Sequence, residues 1–211
     1  MNNYKSLLTA GALVVAAMGV NAQKYTSGDK TLSFLAGEKD INLEYDYSDM
    51  MVGKKPEAQY KEEKIADFNK KQKGKGERWA EKWVNNRSAI YEPMFEELIN
   101  KIMVKSKMGT NISKNLKDAK YTLVVHTTMT EPGFNVMVMK VDPSCNFEFI
   151  WKENGTGKEM AKGRLDRVAG HVMNDSDWDF DPSNRLKECY AKAGKVVGKT
   201  MEKALKPKKK K

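Results

Sequence analysis

The stretch KYTLVVHTTMTEPGFNVMVMKV, residues 120–141, decides the fold. Its first half, Lys120–Thr130, is rich in β-branched residues, which favour strands. Pro132 and Gly133 follow in the order that a type II turn takes at its two central positions. Asn135–Val141 then returns to a strand-like composition. The stretch therefore predicts two antiparallel strands joined by a turn.

Two further segments extend this hairpin. The turn DPSC leads into a strand pattern at Asn146–Glu153, and NGTG leads into another at Lys158–Leu165. Consecutive strands joined by short turns form an antiparallel meander. Upstream, Ile41–Tyr47 alternates apolar and polar residues, as a half-buried strand does. With the helical patterns described next, the predicted fold class is α+β, an antiparallel β-meander sheet with helices packed on one face and a long C-terminal helix.

Helical patterns fill the region between the strands. A proline precedes Glu57–Lys71, where apolar residues are sparse and predict a surface helix with a narrow buried stripe. A flexible break at Lys73–Gly76 separates it from a longer amphipathic pattern, in which Pro93 predicts a kink. Trp79 and Trp83 lie one turn apart in that pattern. This spacing favours packing in a core or helix interface, and a carbohydrate platform is the alternative.

The last helix is predicted over residues 182–205, and it contains a motif that invites a different interpretation. The segment AGKVVGKT, residues 193–200, fits the relaxed phosphate-loop pattern. A phosphate loop needs a buried strand before it and a helix that starts at its Lys-Thr, whereas this segment lies inside a helix. We therefore expect no nucleotide binding. Gly194 and Gly198 instead predict a close approach of this helix to the sheet.

The chain opens with the features of a secretory signal peptide over residues 1–22. A lysine precedes the uncharged apolar run Leu7–Val20, and Val20-Asn21-Ala22 places small residues at a cleavage site. The run is shorter than the roughly 20 residues that span a bilayer, so cleavage after Ala22 is favoured over an uncleaved anchor. A periplasmic or secreted single α+β domain over residues 23–205 follows, with no transmembrane segment in the mature chain.

The charge is strongly positive, with a formal net charge of +10. Residues 206–211, KPKKKK, predict a disordered lysine-rich tail because a block of like charges repels itself. Such a tail is either a solubilising end or a ligand for polyanions. An exported protein seldom meets nucleic acid, so the predicted partner is an envelope protein or a polyanionic envelope polymer.

The chain contains two cysteines, Cys145 and Cys189. An oxidising compartment permits them to pair, and closing a loop over the forty-three intervening residues stabilises a fold by roughly 3–4 kcal/mol. The alternative is two buried free thiols. Sequence alone does not place the two Cα atoms, so both interpretations stay open.

An acidic segment precedes the last helix. Asp177, Asp179, Asp181 and Glu188 have the spacing of calcium ligands in an EF-hand loop. Pro182, however, stands where that loop needs a glycine. We predict that the segment holds no metal and that Asp181 caps the helix, with the proline in its first turn. No other cofactor is expected.

The candidates for catalysis are the two histidines, His126 in a predicted strand and His171 in a loop. A hydrolase of unrecognised type would use one of them with nearby carboxylates. No nucleophile, metal or cofactor motif accompanies them, so no catalytic residue is assigned. The predicted function is a non-catalytic binding or interaction module of the cell envelope, with the hydrolase as the alternative.

Three segments carry a resemblance to known proteins: INLEYDYSDMMVG (41–53), YTLVVHTTMTEPGFNVMVMK (121–140) and RLKECYAKAGKVVGK (185–199). With the signal peptide, they resemble an uncharacterised family of small exported proteins from Gram-negative bacterial envelopes. More distantly, the layout is similar to small periplasmic α+β docking modules, such as the N-terminal domain of the Tol system's propeller protein and the lipoprotein activators of penicillin-binding proteins. That resemblance implies docking to other proteins, with no catalytic residues.

Overall fold

A computed structural model describes residues 24–136, 139–170 and 182–206. Its strands are β1 (Lys24–Gly28), β2 (Asp40–Asp46), β3 (Met51–Val52), β4 (Lys55–Pro56), β5 (Asn111–Ser113), β6 (Tyr121–Glu131), β7 (Phe134–Val136), β8 (Met139–Val141), β9 (Ser144–Glu153) and β10 (Glu159–Ala169). Its α-helices are α1 (Glu57–Lys71), α2 (Lys75–Asn86), α3 (Glu92–Lys105) and α4 (Ser183–Leu205). A 3-10 turn at Ser33–Leu35 and a π-helical turn at Arg87–Tyr91 complete the described elements.

The main sheet is mixed, which corrects the predicted all-antiparallel meander in part. Its order is β1-β10-β9-β6-β2-β5, with β3 and β4 at one end of β6. The pairs β6–β9, β9–β10 and β10–β1 are antiparallel, as a meander requires. Strand β2, however, lies parallel to both β6 and β5, and β3 lies parallel to β6. The chain reaches β6 from β2 through the helices α1 to α3, which is how parallel neighbours are connected.

The segment predicted as the second strand of the meander does not join the main sheet. Strands β7 and β8 pair with each other in a separate two-stranded ribbon. The reason is that both edges of β6 are taken. Strand β9 pairs with it as far as Glu131, while β2 and β3 occupy the other edge. The turn at Gly133 therefore leads into a ribbon that stands apart from the sheet.

The core lies between one face of the sheet and the helices α3 and α4. Alternate residues of β9 point to this face, and Phe147, Phe149 and Trp151 are fully buried there. Phe149 stacks on Phe95 of α3, with ring centroids 6.0 Å apart. Phe147 meets the Tyr190 ring of α4 edge-on at 5.0 Å. These aromatic contacts join the central strand to both helices, and they confirm helices on this face of the sheet.

The predicted kink lies just before Pro93. Helix α2 ends at Asn86, and a π-helical turn over Arg87–Tyr91 leads into α3. Within this turn the Glu92 N–H donates to the Arg87 carbonyl, five residues back. Pro93 has no N–H to continue a regular ladder, so the backbone widens here by one residue.

Helix α4 begins at Ser183, one residue later than predicted. The Pro182 carbonyl accepts the first helical bond, from Leu186 N at 2.9 Å. Asp181 lies outside the described residues, so its capping role remains a prediction. The phosphate-loop segment lies in the middle of this helix, as expected. Gly194, however, packs on helix α3, not on the sheet: a Cβ at this position would lie 3.1 Å from the Cα of Phe95.

Candidate functional site

The helices α1 and α2 form a hairpin at the edge of the domain. Helix α1 has no buried residue, and it contacts the rest of the chain mainly through α2, β3 and β4. The connection between the two helices includes Gly74, which adopts a left-handed backbone conformation (φ 79°) that favours glycine. The α1–α2 hairpin thus presents most of its helical surface to solvent.

Aromatic rings join the two helices of the hairpin. Trp79 and Trp83 stack with centroids 5.6 Å apart, and Tyr60 of α1 lies 5.9 Å from the first and 5.5 Å from the second. Phe68 extends the row on the other side of Trp79, at 5.7 Å. Burial between the helices raises the pKa of Tyr60 to about 12. The tryptophan pair therefore forms a helix interface, as its spacing favoured.

The end of the hairpin is held by close backbone packing and an asparagine. A Cβ at Gly76 would lie 2.7 Å from the Cα of Ile65, so only glycine allows α2 to come this near to α1. The Asn69 side chain accepts a hydrogen bond from Gly76 N at 2.8 Å and donates one to the Glu77 carboxylate at 2.9 Å. These bonds fix the start of α2 against the end of α1.

This fixed end is basic, and we call residues 70–78 the hairpin tip. It carries Lys70, Lys71, Lys73, Lys75 and Arg78 against the single acid Glu77, so its net charge is 5 − 1 = +4. All five basic residues are exposed. From the sequence, Lys73–Gly76 was interpreted as a flexible break, and Lys70 and Lys71 were assigned to the preceding helix. The composition of KKQKGKGER, with five basic residues in nine, was the signal that could have revealed the cluster.

The tip also combines charge with an aromatic surface. The ammonium groups of Lys71 and Lys75 lie 6.0 and 5.8 Å from the centroid of the half-buried Phe68 ring. Farther along α1, Lys64 lies 5.6 Å from the ring centroid of Tyr60. Cations held over aromatic faces are attracted by the electron density of the ring. The tip therefore offers fixed positive charges beside a partly exposed apolar ring.

The other end of the hairpin is anchored to the domain by a shielded ion pair. Glu57, the first residue of α1, pairs with Arg87 of the π-helical turn, and their side chains are 14% and 17% exposed. Glu57 also accepts a hydrogen bond from the Trp83 indole N–H at 2.6 Å. The Arg87 guanidinium lies 4.2 Å from the centroid of the Tyr47 ring. Through these contacts α1 and α2 are fixed to each other and to strand-end residues of the sheet.

An open groove of about 530 Å³ lies elsewhere, between the end of β2 and the segment after β5. Its charged centre is Glu92, which Lys114 contacts at 2.9 Å. Tyr45 donates a hydrogen bond to the Glu92 backbone carbonyl at 3.0 Å. The pKa of Tyr45 is raised mainly by burial and to a smaller extent by the nearby Glu96 and Glu92 carboxylates. In this groove the opposite charges of Lys114 and Glu92 compensate each other. At the hairpin tip Lys70 pairs with Asp67 at 3.1 Å, and the other four basic residues stand against the single acid Glu77, which leaves a net charge of 4 − 1 = +3.

The structure places His126 on the sheet face opposite to α3 and α4. Its Nε2 atom lies 2.9 Å from Asp49 Oδ1 and 3.1 Å from the Ser48 carbonyl oxygen. Its Nδ1 atom lies 3.8 Å from the Glu148 carboxylate. The structure thus brings the histidine beside two carboxylates, whereas the hydrolase alternative requires a deep pocket as well. The second histidine, His171, lies outside the described residues.

The acidic segment is mostly outside the described residues as well. Of the four spaced acids, only Glu188 is described, and it lies half-buried in α4. Asp177, Asp179 and Asp181 are not described, so the prediction that they hold no metal remains untested. Within residues 24–136, 139–170 and 182–206, no group of three or more histidines, cysteines or acids is placed to hold a metal ion.

The two cysteines are both buried and both free thiols. Cys145 lies on β9 and Cys189 on α4, and both belong to the same buried core cluster. The structure therefore places both cysteines in one core, and the pairing that the sequence left open stays a prediction. None of the described helices is long and apolar enough to cross a membrane.

The comparisons with known proteins assign no family to this chain. No family model matches the chain, and no curated protein sequence matches it. One similar solved structure is the PelC dodecamer from Paraburkholderia phytofirmans, at 10% identity and a TM-score of 0.37, covering 83% of this chain and 97% of that one. A substituted PelC dodecamer from the same organism is 11% identical with a TM-score of 0.38, covering 83% and 98%.

Proposed function

We propose that this chain is an exported, non-catalytic binding module of the cell envelope, and that its hairpin tip engages a polyanionic envelope polymer. The signal-peptide pattern supports export to the periplasm or beyond. The observation that carries the proposal is the cluster of five exposed basic residues on a rigidly held hairpin tip, with only one acid among them.

Charge complementarity favours a polyanion over a neutral or basic partner. A cluster of lysines raises the local concentration of anions, and the attraction falls with added salt because exposed charges are screened beyond about 10 Å at 0.1 M ionic strength. A polymer with repeated carboxylate, sulfate or phosphate groups can contact several of these lysines at once. The ring of Phe68, which lies among them, adds a surface for the apolar faces of sugar units.

The way in which the tip is held supports binding as well. Gly76 and Asn69 fix the turn before any ligand arrives, and the aromatic row fixes α1 against α2. Binding to a surface that is already ordered costs less entropy than ordering a loop on contact. The lysine-rich tail at residues 206–211 is a second source of positive charge, so its contribution must be separated from that of the tip.

The test is equilibrium binding of the mature chain to dextran sulfate and to polygalacturonate, measured by calorimetry at several salt concentrations. One variant replaces Lys70, Lys71, Lys73 and Lys75 by Gln. A matched control replaces four exposed lysines elsewhere by Gln: Lys117, Lys195, Lys199 and Lys203. A third chain lacks residues 206–211.

Each lysine near an anionic surface contributes about 1 kcal/mol, so the tip variant should bind on the order of 100-fold or more weakly. The control variant should stay within about threefold of the unmodified chain, because its lysines lie outside the cluster. Equal losses in both variants would mean that only net charge matters. Loss of binding on removal of the tail alone would place the site there. Either result contradicts the proposal.

A further inference from the structure

Cys145 and Cys189 both lie in the core, although forty-three residues separate them in the chain. Cys145 lies on the helix-facing side of β9 and is opposite Val168 of β10 in the sheet register. Its sulfur lies 3.8 Å from the Thr130 hydroxyl of β6. Cys189 lies on α4 with its thiol directed along the helix, where it donates to the Arg185 carbonyl at 3.8 Å.

A second observation, at Gly170, places the Cys189 sulfur at the end of the sheet where Cys145 lies. It lies two residues after Val168, immediately beyond β10, and its N–H donates to the Pro143 carbonyl just before β9. A Cβ at Gly170 would lie 2.8 Å from the Cys189 sulfur. The missing side chain therefore leaves the space that the Cys189 sulfur occupies beside the end of β10, two residues from the Val168 that pairs with Cys145.

We propose that Cys145 and Cys189 form a disulfide in the exported protein, which fastens the C-terminal helix to the central strands of the sheet. The inference rests on the proposed export but not on polymer binding, because neither cysteine lies in the hairpin. The oxidant is a protein disulfide of the kind that donates disulfides outside the cytoplasm.

The exchange balances in two steps. One cysteine, as its thiolate, attacks the oxidant disulfide and forms a mixed disulfide, which releases one thiolate of the oxidant. The second cysteine then attacks the mixed disulfide, which forms the Cys145–Cys189 bond and releases the other thiolate. The chain loses two electrons and two protons, and the oxidant disulfide becomes a dithiol.

Burial determines when this can happen. Both cysteines are completely buried, and the loss of water followed by the contact with Cys145 raises the pKa of the Cys189 thiol. A protonated, inaccessible thiol is a poor nucleophile in exchange. The disulfide therefore forms before α4 docks on the sheet, and once the helix has docked the bond is shielded from reductants.

The test is refolding of the full mature chain in oxidised and in reduced glutathione. Thiols are then counted after denaturation, and the intact mass is measured. The control chain carries Cys145→Ala and Cys189→Ala together, so that no unpaired thiol is left. A second measurement compares guanidinium unfolding with and without dithiothreitol.

Refolding with oxidised glutathione should leave no reactive thiols and a monomer lighter by two hydrogen atoms, with the two cysteine peptides linked. The link should lower the unfolding equilibrium constant by about two to three orders of magnitude relative to the reduced chain. Dithiothreitol should abolish this difference in the unmodified chain and have no effect on the double variant. Two reactive thiols after oxidative refolding, disulfide-linked dimers, or identical unfolding of the oxidised chain and of a chain reduced with dithiothreitol in denaturant would each overturn the inference.

Discussion

Gly194→Ala should destabilise the fold by driving helices α3 and α4 apart. The added Cβ would lie 3.1 Å from both the Cα and the carbonyl carbon of Phe95, and closer still to its carbonyl oxygen. These are backbone atoms, so no side-chain rotation relieves the contact. Overpacking a core costs about 1–3 kcal/mol, and this site should lie at the upper end of that range. Alanine returns about 1 kcal/mol through its better helix propensity. The expected net loss is about 2 kcal/mol, or a fall of roughly 4–8 °C in Tm.

The same substitution at Gly198 is the matched control. It lies one turn later in the same helix, but there the Cβ would meet side-chain atoms of Ile102 at 3.1 and 3.2 Å and the Ile99 backbone oxygen at 3.3 Å, which a shift of a few tenths of an ångström relieves, whereas at Gly194 the Phe95 oxygen would lie at 2.4 Å. The gain in helix propensity should offset that strain, so Gly198→Ala should change stability by less than about 0.5 kcal/mol. Guanidinium unfolding of both variants makes the comparison. Equal changes at the two positions, or a stabilised Gly194→Ala, would refute the close α3–α4 packing.

Three further outcomes are expected. Glu57→Gln should lower the free energy of unfolding by about 2 kcal/mol, because the shielded Arg87 loses its counter-charge. Glu63→Gln, which breaks the exposed pair of Glu63 with Lys55, should cost less than about 0.5 kcal/mol. Similar losses for the two variants in denaturant unfolding would show that the shielded pair does not anchor the hairpin. Hydrogen bonds from Ser33 and Thr31 lower the pKa of Asp29 from 3.8 to about 2. The contribution of Asp29 to stability is therefore complete above pH 3.8 and disappears as the pH falls through about 2. An NMR titration of Asp29 with a midpoint near 3.8 would contradict this pH dependence. Asp181→Ala should cost about 0.5–2 kcal/mol with or without calcium, and micromolar calcium binding in a calorimetric titration would contradict the capping role.

The sequence predicted local structure well and strand partners less well. Helix α1 begins and ends where its pattern did, because the preceding proline and the spacing of its few apolar residues are local signals. The alternation in Ile41–Tyr47 correctly indicated strand β2. It could not show that β2 lies parallel to β6, because alternation specifies which face is buried and not which strand is the neighbour. That pairing is decided by contacts about eighty residues apart in the chain.

The candidate site was missed for a related reason. The lysines of residues 70–78 straddle the end of one helix and the start of the next, so the sequence pattern divides them between a helix and a break. They become one surface only when the aromatic rows of α1 and α2 pack and bring Lys71 and Lys75 to the same ring. The sequence analysis assigned polyanion binding to the lysine tail instead, because the charges of the tail are grouped in the sequence.

Site-specific photocrosslinking in intact cells tests the proposed function most directly. A photoreactive residue replaces Lys73 in the hairpin tip, and in a matched chain it replaces Val104, which is 78% exposed at the end of α3. Adducts are purified and identified by mass spectrometry and sugar analysis. We expect residue 73 to capture an anionic polymer, with the yield reduced when the neighbouring lysines are replaced by Gln and when salt is raised, and residue 104 to capture none. A discrete protein adduct at residue 73, or equal polymer capture at both positions, would contradict polymer binding by the hairpin tip.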